Sequence, residues 1–395
     1  MKKSILTCAV AMLLSFNSQA NNEPGAFRTE SGFVVTPLLD LGLKQDDNIY
    51  SRSNNETSST ILTVDPSVNF LLDDGVNSYS FDVGVLSGFY TEDSTDNYVD
   101  GYLGFSGHFE PSSKSRFDLN ADAIWTTEPR GTGLTEGIGS EIDKPLRYSE
   151  QYLEGIYEYG ARTAFGRVAV RGQYYNKEYL NFKEQTQYRN LDKLLVGGKF
   201  IYNTQAGSDA FVELTHEDIS YDITAPNELA RDSKDIRALV GFEWEATALT
   251  SGSAKLGYQK KDFDDTGRDN FTGLSWEAGI TWSPLTYSSF DISTSQAAVD
   301  PLTEGDYIEE TTFDLGWNHN WNERLSSRLG ISYLLEDYVG VTREDDTTTL
   351  VAEVNYQLLR WVGITGYVNI TDKDSTREGL YFDKNVVGVN LSLSM

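Results

Sequence analysis

Cysteine is almost missing from this 395-residue chain. The one present, Cys8, lies in the first apolar run. A disulfide framework and a cysteine-based metal site are therefore excluded. There are three histidines, so metal and acid–base chemistry have few carriers. Basic residues are outnumbered, 32 against 60 acidic ones, for a net charge of −28. Nucleic acid is a poor partner for such a chain, because phosphate binding needs clustered positive charge. After residue 20 no long hydrophobic run occurs, which argues against a membrane helix. Proline is scarce at nine, whereas 23 Tyr, 19 Phe, 7 Trp and 34 Gly are plentiful.

The first twenty residues have Lys2 and Lys3, then an apolar run, then Ser18-Gln19-Ala20. Small residues three and one before a cut are the layout of a cleaved signal peptide over 1–20. The run is too short to span a bilayer. Cys8 lies early in it, which argues against a lipoprotein anchor. Loss of the two lysines takes the net charge to about −30.

From Phe33 onward the chain alternates. GLSWEAGITWSP (273–284) puts Leu274, Trp276, Ala278, Ile280 and Trp282 on one face and Ser275, Glu277, Gly279 and Thr281 on the other. The same period runs through FDLNADAIW (117–125), IRALVGFEW (236–244), FDLGWNHNW (313–321), LVAEVNYQL (350–358) and VGITGYVNI (362–370). Period two marks half-buried strands. Short turns at 73–77, 111–115, 161–166, 205–209, 246–252, 283–287, 321–325 and 358–361 alternate with longer, charged loops such as 44–58, 128–145, 180–190 and 223–233. Short turns at one rim and long loops at the other predict an all-β chain. It is a single transmembrane antiparallel β-barrel of the outer membrane, with about 18 strands. The expected organisation is a short periplasmic segment over 21–31 and a barrel over 32–395. The expected location is the Gram-negative outer membrane, with lipid and lipopolysaccharide around the barrel. A large soluble solenoid or sandwich would not alternate its connections so regularly. Trp244, Trp282, Trp321 and Trp361 fall beside short turns and Trp125 beside a long loop, as an aromatic girdle requires. The chain ends on Met395, where outer-membrane barrels usually end on an aromatic residue.

Chemistry-bearing motifs are few, and no enzyme is expected. His108 falls on the water-facing parity and His319 among girdle residues. His216 shares the parity of Val212 and Leu214, where a lipid-facing Ser-His pair would sit. No serine partner can be placed, and GxSxG and HExxH are both absent. KKDFDDTGRDNF (260–271) opens like a calcium loop, but its twelfth position is Gly273 where a bidentate Glu is needed. Loose divalent binding near lipopolysaccharide phosphates is one use for it, and a solvated acidic loop the other. No cofactor or metal site is expected.

By parity Arg171, Lys177, Lys193, Lys199, Arg237 and Lys255 face the lumen, and Arg171, Lys199, Arg237 and Lys255 form a candidate basic strip. Elsewhere the inward charges are acidic: Asp118, Asp122, Glu277, Asp314 and Glu353. Tyr102, Tyr175, Phe211 and Tyr367 sit among them and suit sugar rings. An ordinary polar lumen holding water explains the same pattern.

PLLDLGLKQDDNIYS (37–51) resembles the opening of the putative β-barrel porin 2 family, and within it the exopolysaccharide-cluster (VpsM-like) members. The resemblance implies export of a biofilm or capsular polysaccharide, with a periplasmic polysaccharide export protein as partner. It supplies no catalytic residues. The alternative is a general diffusion or sugar-uptake porin. That needs an inward loop, for which 128–145, with Gly131, Gly133, Gly137 and Gly139, is the candidate.

Overall fold

A computed structural model describes residues 25–247 and 249–394. The signal-peptide segment 1–20 and Met395 lie outside them. A two-residue strand, β1 (Phe27–Arg28), pairs with the start of β2 (Val34–Asp46). The wall continues through β3 (Ser59–Asp73), β4 (Ser78–Tyr90), β5 (Tyr98–Ser112), β6 (Ser115–Glu128), β7 (Leu146–Tyr159) and β8 (Gly166–Tyr179). Next come β9 (Leu191–Asn203), β10 (Ser208–Tyr221), β11 (Ser233–Thr247), β12 (Thr250–Phe263), β13 (Phe271–Leu285) and β14 (Ser288–Val299). The last five are β15 (Tyr307–Asn320), β16 (Leu325–Val339), β17 (Arg343–Leu359), β18 (Val362–Ser375) and β19 (Phe382–Ser394). Each strand pairs antiparallel with the next, and β19 pairs with β2, so β2–β19 close into an 18-stranded barrel. Closure leaves no open edge, which a membrane requires because lipid cannot satisfy a bare backbone. The first barrel strand opens at Val34, two residues past the expected boundary.

The register shows why alternation was so regular. Val212, Val240, Leu256, Trp276 and Gln296 form one row across β10–β14 on the outer surface. Their apolar members have no protein to pack against: Val240 is 60% exposed and Leu256 51%. In a soluble protein such a surface would aggregate; here it faces acyl chains. Pro66, mid-strand in β3, has no N–H for the ladder. The β3–β4 pairing lapses between Thr63 and Ser67, and Ser87 fills the gap, its Oγ donating to the Val64 carbonyl at 2.5 Å.

The short turns and both described chain ends share one rim. Gly25 N donates to Ser394 Oγ at 2.9 Å there. Ring contacts run along that rim from Trp282 to Phe290, Trp317, His319 and Trp321, with centroids 5.3, 6.4, 5.3 and 4.4 Å apart in turn. The indole N–H groups of Trp317 and Trp321 donate to Ser288 Oγ and Ser327 Oγ. Trp244 and Trp361 lie near that rim, and Trp125 toward the other, facing outward with 43% exposure. The long-loop rim is expected to face outside the cell. Asn54→Cys should then label with a membrane-impermeant maleimide in intact cells, and Ala206→Cys should not. The opposite labelling pattern would invert the topology. Ala206 is preferred to Gly207 because Gly207 has φ +77°.

Candidate lumen and constriction

By register, Arg171, Lys199, Arg237 and Lys255 share one face of the wall with carboxylate partners. Arg171 Nε lies 2.6 Å from Glu154, Lys199 Nζ 2.7 Å from Glu243, Lys255 Nζ 3.0 Å from Glu277 and Arg237 Nε 3.4 Å from Asp235. Closer to the short-turn rim, Arg167 bridges Glu158 at 2.7 Å and Asp209 at 2.6 Å, and Arg116 meets Glu158 at 2.5 Å. The four-residue strip is therefore a ladder of ion pairs rather than a bare positive surface. Glu154 and Asp235 were readable as inward by parity. What parity lacks is the register that puts each beside a cation.

The acidic residues sit apart from this ladder, Glu277 excepted. Asp118 takes a 2.6 Å hydrogen bond with His108 Nδ1, and His108 Nε2 reaches Glu110 at 3.1 Å. Asp122 shares its row with Gly104 and Asp82. Asp314 accepts from Ser293 at 3.0 Å and Ser332 at 2.7 Å, and Glu353 is opposite Tyr367. The four lumen aromatics differ in what they offer. Phe211 is buried with the Lys199 ammonium 3.7 Å over its ring, and Tyr175 is buried with its hydroxyl on Glu150. Tyr102 and Tyr367 lie along the wall over Gly84 and Gly388 and keep partial exposure. All four lie against the wall.

His216 faces lipid between Val196 and Ile236, and its polar contact is Asp218 at 3.2 Å. The calcium-like loop does not converge on a point. Asp262 pairs with Lys260 and Asp264 with Lys234, while Asp265 accepts from the Gly267 N–H. Among the described residues no group of three or more His, Cys, Asp or Glu could hold a metal.

At the long-loop rim two loops leave the wall and meet over it. Loop 129–145, between β6 and β7, folds inward and reaches the opposite wall. Its Glu136 lies 2.8 Å from Arg343 at the start of β17 and also contacts Lys373 of β18. A second loop, 300–306, arrives from the other side, and Glu304 lies 3.5 Å from the same Arg343 and 3.0 Å from Arg377. Asp345 completes the cluster, against Arg343 and, at 3.0 Å, Lys373. The Arg343 side chain is 1% exposed. Two loops are thus joined across the mouth by one guanidinium. The first was a candidate from sequence; the second was not, because seven residues with one proline look like any surface turn.

Local chemistry explains why both loops turn inward. Arg130 donates to Asp96 at 2.7 and 2.6 Å, to Asp93 at 2.6 Å and to Tyr50 Oη at 2.5 Å. The Asp96 and Asp93 hydrogen bonds raise the Arg130 pKa, outweighing burial. Burial, then the Asp96 charge, pushes the Tyr50 phenol up to about 12. Gly131, at φ +85°, passes so close to the Tyr50 carbonyl that a Cβ would sit 1.9 Å from its oxygen. Only glycine fits that approach. The second loop is held by Asp300, between Lys193 at 2.9 Å and Lys261 at 2.6 Å. Burial alone would raise this carboxyl, but the two ammonium groups hold it below the usual range. Beneath it the Gln259 amide clamps Ala298, accepting from its N–H and donating to its carbonyl, both at 2.8 Å. Phe263, Phe271, Ala298 and Tyr307 form a small buried cluster beside that clamp.

Some solved structures of low identity are similar to this chain. OccK2 (OpdF) of Pseudomonas aeruginosa is similar at 11% identity and a TM-score of 0.49, over 91% of this chain and 98% of that one. OccAB4 of Acinetobacter baumannii is similar at 10% identity and 0.47, over 95% and 100%. The siderophore receptor PirA of the same species is similar at 8% and 0.47, over 91% and 80%. No curated protein matches the chain by sequence. Residues 29–395 match the family described as "Putative beta-barrel porin 2". An outer-membrane, porin-type barrel channel fits every strand of the wall, and this chain belongs to that family.

Proposed function

We propose that this barrel is a diffusion channel for small hydrophilic solutes, narrowed at its outer mouth by loops 129–145 and 300–306. The observation that carries the reading is the joint at Arg343, where Glu136 and Glu304 meet from two loops. An ion-paired joint with its guanidinium out of water is costly to open one partner at a time. A conduit for a continuous polymer would need both loops out of the lumen throughout transport. The ion-paired ladder points the same way, since Arg171, Lys199, Arg237 and Lys255 offer an acidic polymer few uncommitted charges. Arrival at the outer membrane through a cleaved leader over 1–20 belongs to the same reading.

Liposome swelling tests it. The purified barrel should admit a monosaccharide readily and a tetrasaccharide hardly at all. Equal rates for both would show that the loops do not limit the pore. The second reading, polysaccharide export, rests on the family resemblance of residues 37–51. It predicts that a deletion strain loses surface polysaccharide; the channel reading predicts an unchanged amount.

A further inference from the structure

The mouth holds more positive charge than its contacts neutralise. Besides Arg343 and Arg377, which meet Glu304, five more cations crowd around loop 300–306: Arg189, Lys193, Arg231, Lys261 and Arg268. Lys193 and Lys261 share one carboxylate, Asp300, and Arg268 has Asp306 at 2.8 Å. Arg189 has a carboxylate only at the limit of contact, Glu228 at 3.9 Å, itself half exposed. Arg231 has none within 4.0 Å among the described residues. It is 9% exposed, and its Nη atoms donate to the carbonyls of Pro301 at 3.3 Å and Thr303 at 3.1 Å. Its Nε is buried without a partner. Carbonyls accept hydrogen bonds but carry no net charge, so the guanidinium is solvated without being neutralised.

Arg231 borders a cleft between loops 180–190 and 222–232, lined also by Tyr188, Arg189, Tyr221, Thr224 and Glu228. Burial lowers the Arg231 pKa to about 10, with Arg189 and Arg268 acting in the same direction and Tyr221 and Glu228 opposing. Arginine does not give up its proton in a protein. A bound anion would offset part of the cost of holding that charge out of water. Tyr221 pairs with Leu191 on the face that also carries Lys193, which is the water side of the wall.

We propose that this cleft binds one oxyanion group of a soluble solute, a carboxylate, sulfate or phosphate, through Arg231 and Arg189. The cleft is shallow and open on one side, so only the charged end of a solute would meet it while the remainder stays in the mouth. A guanidinium is the donor best suited to a planar carboxylate or a phosphate. The position at the aqueous mouth favours a dissolved solute over a lipopolysaccharide phosphate as the source.

The test is calorimetric titration of the full barrel in detergent, free of lipopolysaccharide, at matched ionic strength. Glucuronate and inorganic phosphate are the charged probes, and glucose is the neutral one. Saturable binding of glucuronate or phosphate, none of glucose, and a weakening of about tenfold or more in Arg231→Gln are expected. Absence of saturable binding to both anions in the wild-type protein overturns the proposal, as does unchanged affinity in the variant. If Arg231→Gln fails to assemble, judged by heat-modifiable gel mobility, Arg189→Gln carries the same expectation. Added lipopolysaccharide should not displace glucuronate; displacement would assign the site to lipid phosphate and overturn the soluble-solute source. Binding is read in detergent without any flux. Failure here therefore leaves the channel reading standing, and failed swelling leaves the site standing.

Discussion

Replacing Arg343 with alanine is expected to open the outer mouth. The side chain is 1% exposed and meets Glu136, Glu304 and Asp345. Its loss leaves a buried Asp345 and two loop glutamates facing each other, with Lys373 as the main remaining cation. Removing one partner of a buried pair typically costs about 3–5 kcal/mol. Much of that cost falls on loop docking, because docking is what brings the glutamates in. If the docked arrangement holds 99 parts in 100, a shift of about 2.7 kcal/mol brings it to an even population. Single-channel conductance in planar bilayers should therefore rise, with frequent switching between two levels. Arg343→Lys keeps one charge but loses the fork, so an intermediate conductance is expected. Wild-type conductance in Arg343→Ala, with normal assembly, would mean that loops 129–145 and 300–306 are held by their own anchors at Arg130 and Asp300.

The second large effect is on the outer surface. Val240→Arg should destabilise the barrel by about 2–4 kcal/mol, because it places a charge near the bilayer midplane. Val240 is mid-strand in β11, opposite Val212 and Leu256, and 60% exposed to the surroundings. No acidic residue stands in that row to receive the guanidinium. Glu277→Gln is the matched control one row inside. It loses the contact with Lys255 but stays in water, so a cost below about 1 kcal/mol is expected. Glu277→Arg is a poorer control than parity alone would suggest, because it would set two cations side by side. Urea unfolding in lipid measures both. Equal penalties for Val240→Arg and Glu277→Gln would mean that the two faces are assigned the wrong way round.

Much of the wall was legible before any coordinates. A half-buried strand writes its environment into every second residue, and lipid on one side with water on the other makes that contrast maximal. Trp276 and Glu277 declare opposite faces from their types alone. The spacing of turns such as 205–209 against loops such as 180–190 then counts the strands, because a closed antiparallel barrel permits no other connection. Composition also limited the chemistry: with one cysteine the chain cannot form a disulfide within itself.

The joint at Arg343 was only partly legible: loop 128–145 was a candidate, but its partners were not, and the reason is physical. Alternation reports which face a residue takes, not which residue stands beside it. Lys199 and Glu243 are 44 positions apart, and only the register and rotamers bring them together. Glu136 and Arg343 are separated by 207 positions, and their meeting depends on where two loops travel after leaving the wall. A loop has no period, so its path is set by single anchors such as Arg130 on Asp96, Gly131 under Tyr50 and Asp300 between two lysines. Those are tertiary contacts between distant segments. The sequence by itself determined a lipid-facing barrel with a polar interior; the tertiary structure alone decided that its basic strip is ion-paired and that its mouth is drawn together at Arg343.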